Sequence, residues 1–195
     1  ILETFTNGLI EVGEGQAYDM QFNTMTDVSK ENYFLMINKK TAVLLETAAL
    51  LGAYFSDANE NQLKAIKKYA NAIGLAFQLQ DDLLDLTADE KDLGKKIGQD
   101  IYEGKKTYMI ILAKERVKSE QDKLLINKFY EMNGLDYEDV PKMLKLFEKL
   151  NIFDDVNLKI DEYFSEAENS LIELPNNFYK DMLSWLIKKL NKRRF

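Results

Sequence analysis

Gly74-Leu75-Ala76-Phe77-Gln78-Leu79-Gln80-Asp81-Asp82-Leu83-Leu84-Asp85 is apolar at most positions and then sets three carboxylates within five residues. A helix that is hydrophobic most of the way round is buried, and a buried carboxylate is costly unless a cation and hydrogen-bond donors meet it. Something positive is therefore expected beside it. Lys67, Asn71, Gly74, Gln78, Asp81 and Asp85 recur at spacings of four and three, which places them on one stripe of a helix running from about Glu60 to Leu86. In its first half the stripe is the wet side of an amphipathic helix. By Gln78 it is flanked by Phe77, Leu79, Leu83 and Leu84. A solvated helix end is the competing reading, although carboxylates at a C-terminus are opposed by the helix dipole. A calcium loop would need D-x-[DN]-x-[DN]-G spacing, which is absent here. A bound cation and a solvated end both stay open on these residues alone.

The segment that follows favours the cation. After a polar loop over 87–92, residues 93–107 hold Gly94, Gly98 and Gly104, Lys95, Lys96, Lys105 and Lys106, and Asp100. Glycines let backbone approach a ligand closely, and lysines beside carboxylates suit an anion bridged by a divalent metal. A lysine-rich surface loop is the plainer alternative. Upstream, residues 1 to about 23 read as helix interrupted by Gly8, Gly13 and Gly15, with Gln16 and Asp19 on one face. Leu2, Phe5, Leu9 and Ile10 fall at helical spacing with no cap before them, as though a helix were entered partway, so a fragment of a longer chain is expected. Past a polar break at Thr24 to Asp27, a second helix capped by Asp27 or Ser29 runs to Tyr54. Lys40 and Thr41 stand where its polar part gives way to an apolar one. A lysine so placed either snorkels to solvent or faces an internal anion.

After a turn at 56–59 and the central helix, further helices are expected over 108–117, 119–133, 136–150, 154–173 and 176–191. Asn133-Gly134 makes a turn, Pro141 suits a first helical turn and Pro175 a break. No repeat, linker or second domain is visible, and residues 1–195 read as a single all-α domain. The chain contains no cysteine and no histidine, which removes thiol nucleophiles, His-dependent triads and the usual zinc sites. Lack of cysteine is compatible with a reducing cytoplasm, where the protein is expected to work. A net charge of -7 argues against nucleic acid as a partner, and no apolar run approaches the roughly 20 residues of a membrane span.

Phe77-Gln78-Leu79-Gln80-Asp81-Asp82-Leu83-Leu84-Asp85 resembles the second aspartate-rich motif of the trans-isoprenyl diphosphate synthases, the farnesyl and geranylgeranyl diphosphate synthase family. Gly15-Gln16-xx-Asp19, Lys40-Thr41-Ala42 and Gly94-Lys95 through Gly98-Gln99-Asp100 to Gly104-Lys105-Lys106-Thr107 extend the resemblance in the right order. The resemblance implies an all-α isoprenoid synthase (prenyltransferase) helical bundle, a homodimer, and magnesium-dependent condensation of an allylic diphosphate with isopentenyl diphosphate. It gives Asp81 the role of magnesium ligand, with Asp82 and Asp85 acting directly or through water. Lys40, Lys95 and Lys105 would bind the diphosphate, with Lys96 as the alternative to Lys95, while Thr41 and Gln78 would lie near the developing allylic cation.

One family feature is missing. The first aspartate-rich motif has no counterpart before Gly15, where the only acids are Glu3, Glu11 and Glu14. These 195 residues are therefore expected to be a C-terminal portion that is inactive alone. A non-catalytic subunit or helical interaction module is the alternative, and a class I terpene cyclase is disfavoured by FQ-x-x-DD-x-x-D. The basic end, Lys188, Lys189, Lys192, Arg193 and Arg194, reads as a frayed cationic terminus or, by the resemblance, as a cover for the isopentenyl diphosphate site.

Overall fold

Cap chemistry and apolar spacing set the helix boundaries. In a computed structural model of the protein, which describes residues 1–88 and 96–192, α1 spans Leu2–Phe22. The next helix starts where Ser29 Oγ accepts the Asn32 amide at 3.2 Å, which selects Ser29 over Asp27 as its cap. This α2 covers Lys30–Ile37 and passes through a π-helical turn at Asn38–Ala42 into α3, Val43–Phe55. The even 3.6-residue period expected from Ser29 to Tyr54 is thus broken at Lys40 and Thr41.

The central helix α4 spans Glu60–Thr87. Its N-terminus is a reciprocal cap, with Asn59 Oδ1 accepting the Gln62 amide at 3.0 Å and Gln62 Oε1 accepting the Asn59 amide at 2.9 Å. A short α5, Gln99–Tyr102, lies inside the glycine- and lysine-rich segment. Then come α6, Tyr108–Arg116; α7, Glu120–Met132, capped by Ser119; and α8, Val140–Lys149, with proline in its first turn. The expected start of α8 at 136 is corrected to Val140, because Asp139 N bonds Asp136 O in a turn first. The last helices are α9, Ile152–Ser170, continued by a 3-10 turn at Leu171–Glu173, and α10, Phe178–Asn191, capped by Asn177. No strand occurs among the described residues, and none of their helices is long and apolar enough to cross a membrane. Lys95, Arg193 and Arg194, to which the sequence assigns roles, lie outside them.

The chain divides into two compact units. The first, Ile1–Tyr18, Phe34–Gln80 and Lys159–Arg194, buries Ala42, Ile73, Ala76, Leu79, Ile160, Phe164 and Ala167. Buried small residues there let helices approach closely: a Cβ at Gly74 would stand 2.7 Å from that of Ala42. The second, built on Asp19–Tyr33 and Asp81–Leu158, buries Ile110, Leu112, Phe129, Met143, Phe147 and Val156. In α8 its buried residues Val140, Met143, Leu146 and Phe147 follow three- and four-residue spacing, giving one apolar face.

Candidate active site

The end of α4, in the second unit, treats its three aspartates differently. Asp81 is exposed. Asp82, one residue and about 100° further round the helix, is buried and accepts a hydrogen bond from the Tyr33 hydroxyl at 2.8 Å. Asp85 returns to the side of Asp81 but is only 1% exposed, because the following segment folds over it. The Gly98 amide donates to the Asp85 carbonyl at 2.8 Å and the Asp100 amide to its Oδ2 at 2.9 Å. Gly98 turns the chain there with φ of 77°, a left-handed conformation that glycine adopts without a Cβ penalty.

Asp100 carries the connection onward. Its Oδ1 accepts the Lys105 ammonium at 2.6 Å, with Glu103 3.2 Å from the same nitrogen. Burial lowers the affinity of Lys105 for its proton, but the bonds and attraction of Asp100 and Glu103 outweigh it and hold the pKa above the ordinary lysine value. Lys105 is therefore cationic at neutral pH. Lys106 is held otherwise: it donates to the carbonyls of Asn23 at 2.8 Å and Gly104 at 2.7 Å and to Asn133 Oδ1. Burial pushes its pKa down to about 8, and its three partners are neutral. Lys106 thus pins the turn that presents Lys105. Lys96 Nζ lies over the Tyr137 ring at 4.6 Å, and Tyr137 stacks on Tyr102 at 4.5 Å.

Lys40, Thr41 and Gln78 belong to the first unit. Thr41 Oγ1 and Gln78 Oε1 are 2.7 Å apart in a hydrogen bond donated by the hydroxyl, so two residues 37 positions apart are brought together. The half-buried Lys40 sits in the π turn. Its neighbour Lys39 is tied to Glu14 at 2.7 Å and Glu11 at 3.3 Å, and the bond to Glu14 contributes most to raising its pKa. Gly15 packs so closely on this turn that a Cβ there would stand 2.6 Å from the Lys39 carbonyl carbon. Gly15 and Gly74 press on the turn from α1 and α4, which accounts for the glycine of Gly15-Gln16-xx-Asp19.

Among the described residues no group of three or more His, Cys, Asp or Glu could by itself hold a metal ion. Magnesium does not require such a cage, since one or two carboxylates suffice when phosphate oxygens and water complete its octahedron. The exposed Asp81 carboxylate, with Asp85 one turn on, has the donor chemistry that this mode of binding would require.

The family described as Polyprenyl synthetase matches residues 1–147. The chain belongs to that family. This polyprenyl synthetase family member is 35% identical to the geranylgeranyl diphosphate synthase of Sulfolobus acidocaldarius over 87% of the present chain and 51% of that relative. It is 44% identical to a short chain isoprenyl diphosphate synthase of Methanocaldococcus jannaschii over 71% of the chain and 42% of that relative. The geranylgeranyl pyrophosphate synthetase of Pyrococcus horikoshii superposes with a TM-score of 0.89 at 34% identity, over 99% of this chain and 58% of that one. The polyprenyl synthase of Caulobacter crescentus, solved with calcium and isoprenyl diphosphate, superposes with a TM-score of 0.90 at 26% identity over 100% and 59%. These neighbours share the all-α isoprenoid synthase fold expected from the sequence. The family member described here spans about half the length of the relatives it matches.

The contacts of Tyr33, Lys39 and Asn133 escape the sequence reading. Tyr33 meets Asp82 across 49 positions, and a tyrosine on an apolar helix face looks like any core aromatic. The αL position of Asn133, φ 53°, was signalled by Asn133-Gly134, but its bond to Lys106 was not.

Proposed function

We propose that this chain supplies the second carboxylate motif and the diphosphate-binding lysines of a short-chain trans-prenyl diphosphate synthase, a magnesium-dependent cytoplasmic homodimer joining an allylic diphosphate to isopentenyl diphosphate. The observation that carries the reading is the run from Asp85 through Asp100 to Lys105, which links a carboxylate of α4 to an ammonium through the amide and side chain of one residue. Family membership and the names of the relatives support the activity.

Breaking the allylic C–O bond leaves its electron pair on the diphosphate and a cation on carbon. Bound magnesium would supply Lewis-acid stabilisation of that leaving group. Asp81 would hold the metal, with Asp85 adding to its anchorage. Lys105, charged at neutral pH and held by Asp100, would offer a remaining N–H to the diphosphate oxygens, and Lys40 and Lys95 would add positive charge to the same group. Fixed charges of this kind stabilise a developing oxyanion without reorganising. The Thr41 and Gln78 oxygens, fixed by their mutual bond, would stabilise the allylic cation. The isopentenyl double bond then forms the new C–C bond, and the proton lost from the adduct passes to the departing diphosphate. The chain needs no histidine for this sequence.

Asp81→Ala in the protein spanning the relatives' full length tests the reading. Turnover of allylic and isopentenyl diphosphates is expected to fall by about 100-fold or more, the cost of removing one such stabilising contact. Turnover within a few-fold of wild type would remove Asp81 from the mechanism.

A further inference from the structure

Tyr33 is only 1% exposed, yet its hydroxyl is aimed at a carboxylate. The bond to Asp82 Oδ2 measures 2.8 Å, and the phenol ring is held by near-parallel stacking on Tyr108, with centroids 5.9 Å apart and planes 20° apart. Tyr108 opens α6 directly after Gly104-Lys105-Lys106-Thr107. A single aromatic side chain from α2 thus contacts both the aspartate beside Asp81 and the helix start that follows Lys105. Asp82 itself is 8% exposed.

Building on the reading of α4 as a metal-binding element, we infer that Tyr33 is a positioning residue: its hydroxyl fixes the orientation of Asp82, which serves the metal beside Asp81 as an oriented negative charge. A buried carboxylate with no fixed donor would turn toward an arriving cation, and that change alters the field at the neighbouring ligand. With one oxygen engaged by a stacked, buried phenol, Asp82 keeps one orientation whether or not the cation is present. Groups that orient metal ligands in this way typically change metal affinity about 10- to 100-fold when lost.

The test is calorimetric titration of inorganic diphosphate into the full-length protein at graded magnesium concentrations, a binding measurement independent of turnover. Tyr33→Phe retains the stacked ring and removes only the hydroxyl. It is expected to raise the magnesium concentration for half-maximal diphosphate binding by about 10- to 100-fold, with the far-ultraviolet circular dichroism spectrum unchanged. Asp82→Asn keeps an oxygen to accept the Tyr33 proton but removes the charge. It is expected to cause a similar shift, and the double variant no more than the larger single one, as two groups acting as a unit require. A merely structural tyrosine would lower the melting temperature and leave the magnesium dependence in place. A shift below two-fold in either folded single variant overturns the inference while the metal-binding reading stands. Wild-type protein that binds diphosphate without regard to magnesium overturns both.

Discussion

Asp139 carries two lysines on one carboxylate, Lys128 at 2.6 Å and Lys142 at 2.5 Å. The hydrogen bond from Lys128, then that from Lys142, hold its pKa down at about 2, below the ordinary carboxylate value of 3.8. A carboxyl group whose folded pKa is lowered contributes stability above its unfolded pKa and loses it as pH falls through the folded one. Asp139→Asn is therefore expected to destabilise the protein at pH 7, and the gap from wild type should close between about pH 4 and pH 2. Urea melts of both proteins across that range check the sign. Asp139 is exceptional in this respect only by geometry: nothing in Tyr137-Glu138-Asp139 marks the third residue out. A motif or a helical stripe singles out Asp81, Thr41 and Gln78 in the sequence, whereas the contact of Tyr33 with Asp82 needed the fold to bring the two together.

Among the elements, the π turn at Asn38–Ala42 is the one that periodicity missed. Its residues are ordinary helix formers, and the pressure that distinguishes them comes from Gly15 and Gly74 on other helices. Such turns frequently accompany functional sites, and this one carries Lys40 and Thr41. A Cβ at either glycine would drive into backbone or a buried Ala42 methyl, so Gly15→Ala and Gly74→Ala should each cost about 1 to 3 kcal/mol. Gly13, on the same α1, has open space where a methyl would stand, with nothing within 4 Å. Gly13→Ala should be neutral or stabilising by up to about 1 kcal/mol, since alanine is the better helix former. Chemical denaturation of the three variants tests that ordering. The caps are more local: Ser29, one of two candidates offered by the sequence, supplies its own side-chain acceptor, as do Asn59, Ser119 and Asn177.

For the molecule as a whole, the fold class followed from few glycines, two prolines and sustained apolar spacing, and what resisted reading was any pairing between distant helices. In α1, Leu2, Phe5, Leu9 and Ile10 are exposed large apolar residues that recur at helical spacing. Contiguous apolar surface of that kind is a site of association. The 195-residue chain alone is expected to self-associate with rising concentration in sedimentation velocity, and Phe5→Ser with Leu9→Ser to reduce it. A weight-average mass independent of concentration in both proteins would count against that expectation.

The π turn also bears on how this chain can be redesigned. A stability programme that regularised residues 30–55 into one ideal helix would delete a residue there, since a single omission restores the 3.6-residue repeat. The helix faces on either side would keep their register, but the side chains within the turn would each shift by up to about 100° around the axis. Lys40 and Thr41 would keep their names and their neighbours in sequence while losing their direction, so the idealised protein would melt higher and bind worse. Alignments that place a gap within 38–42 would hide the same change.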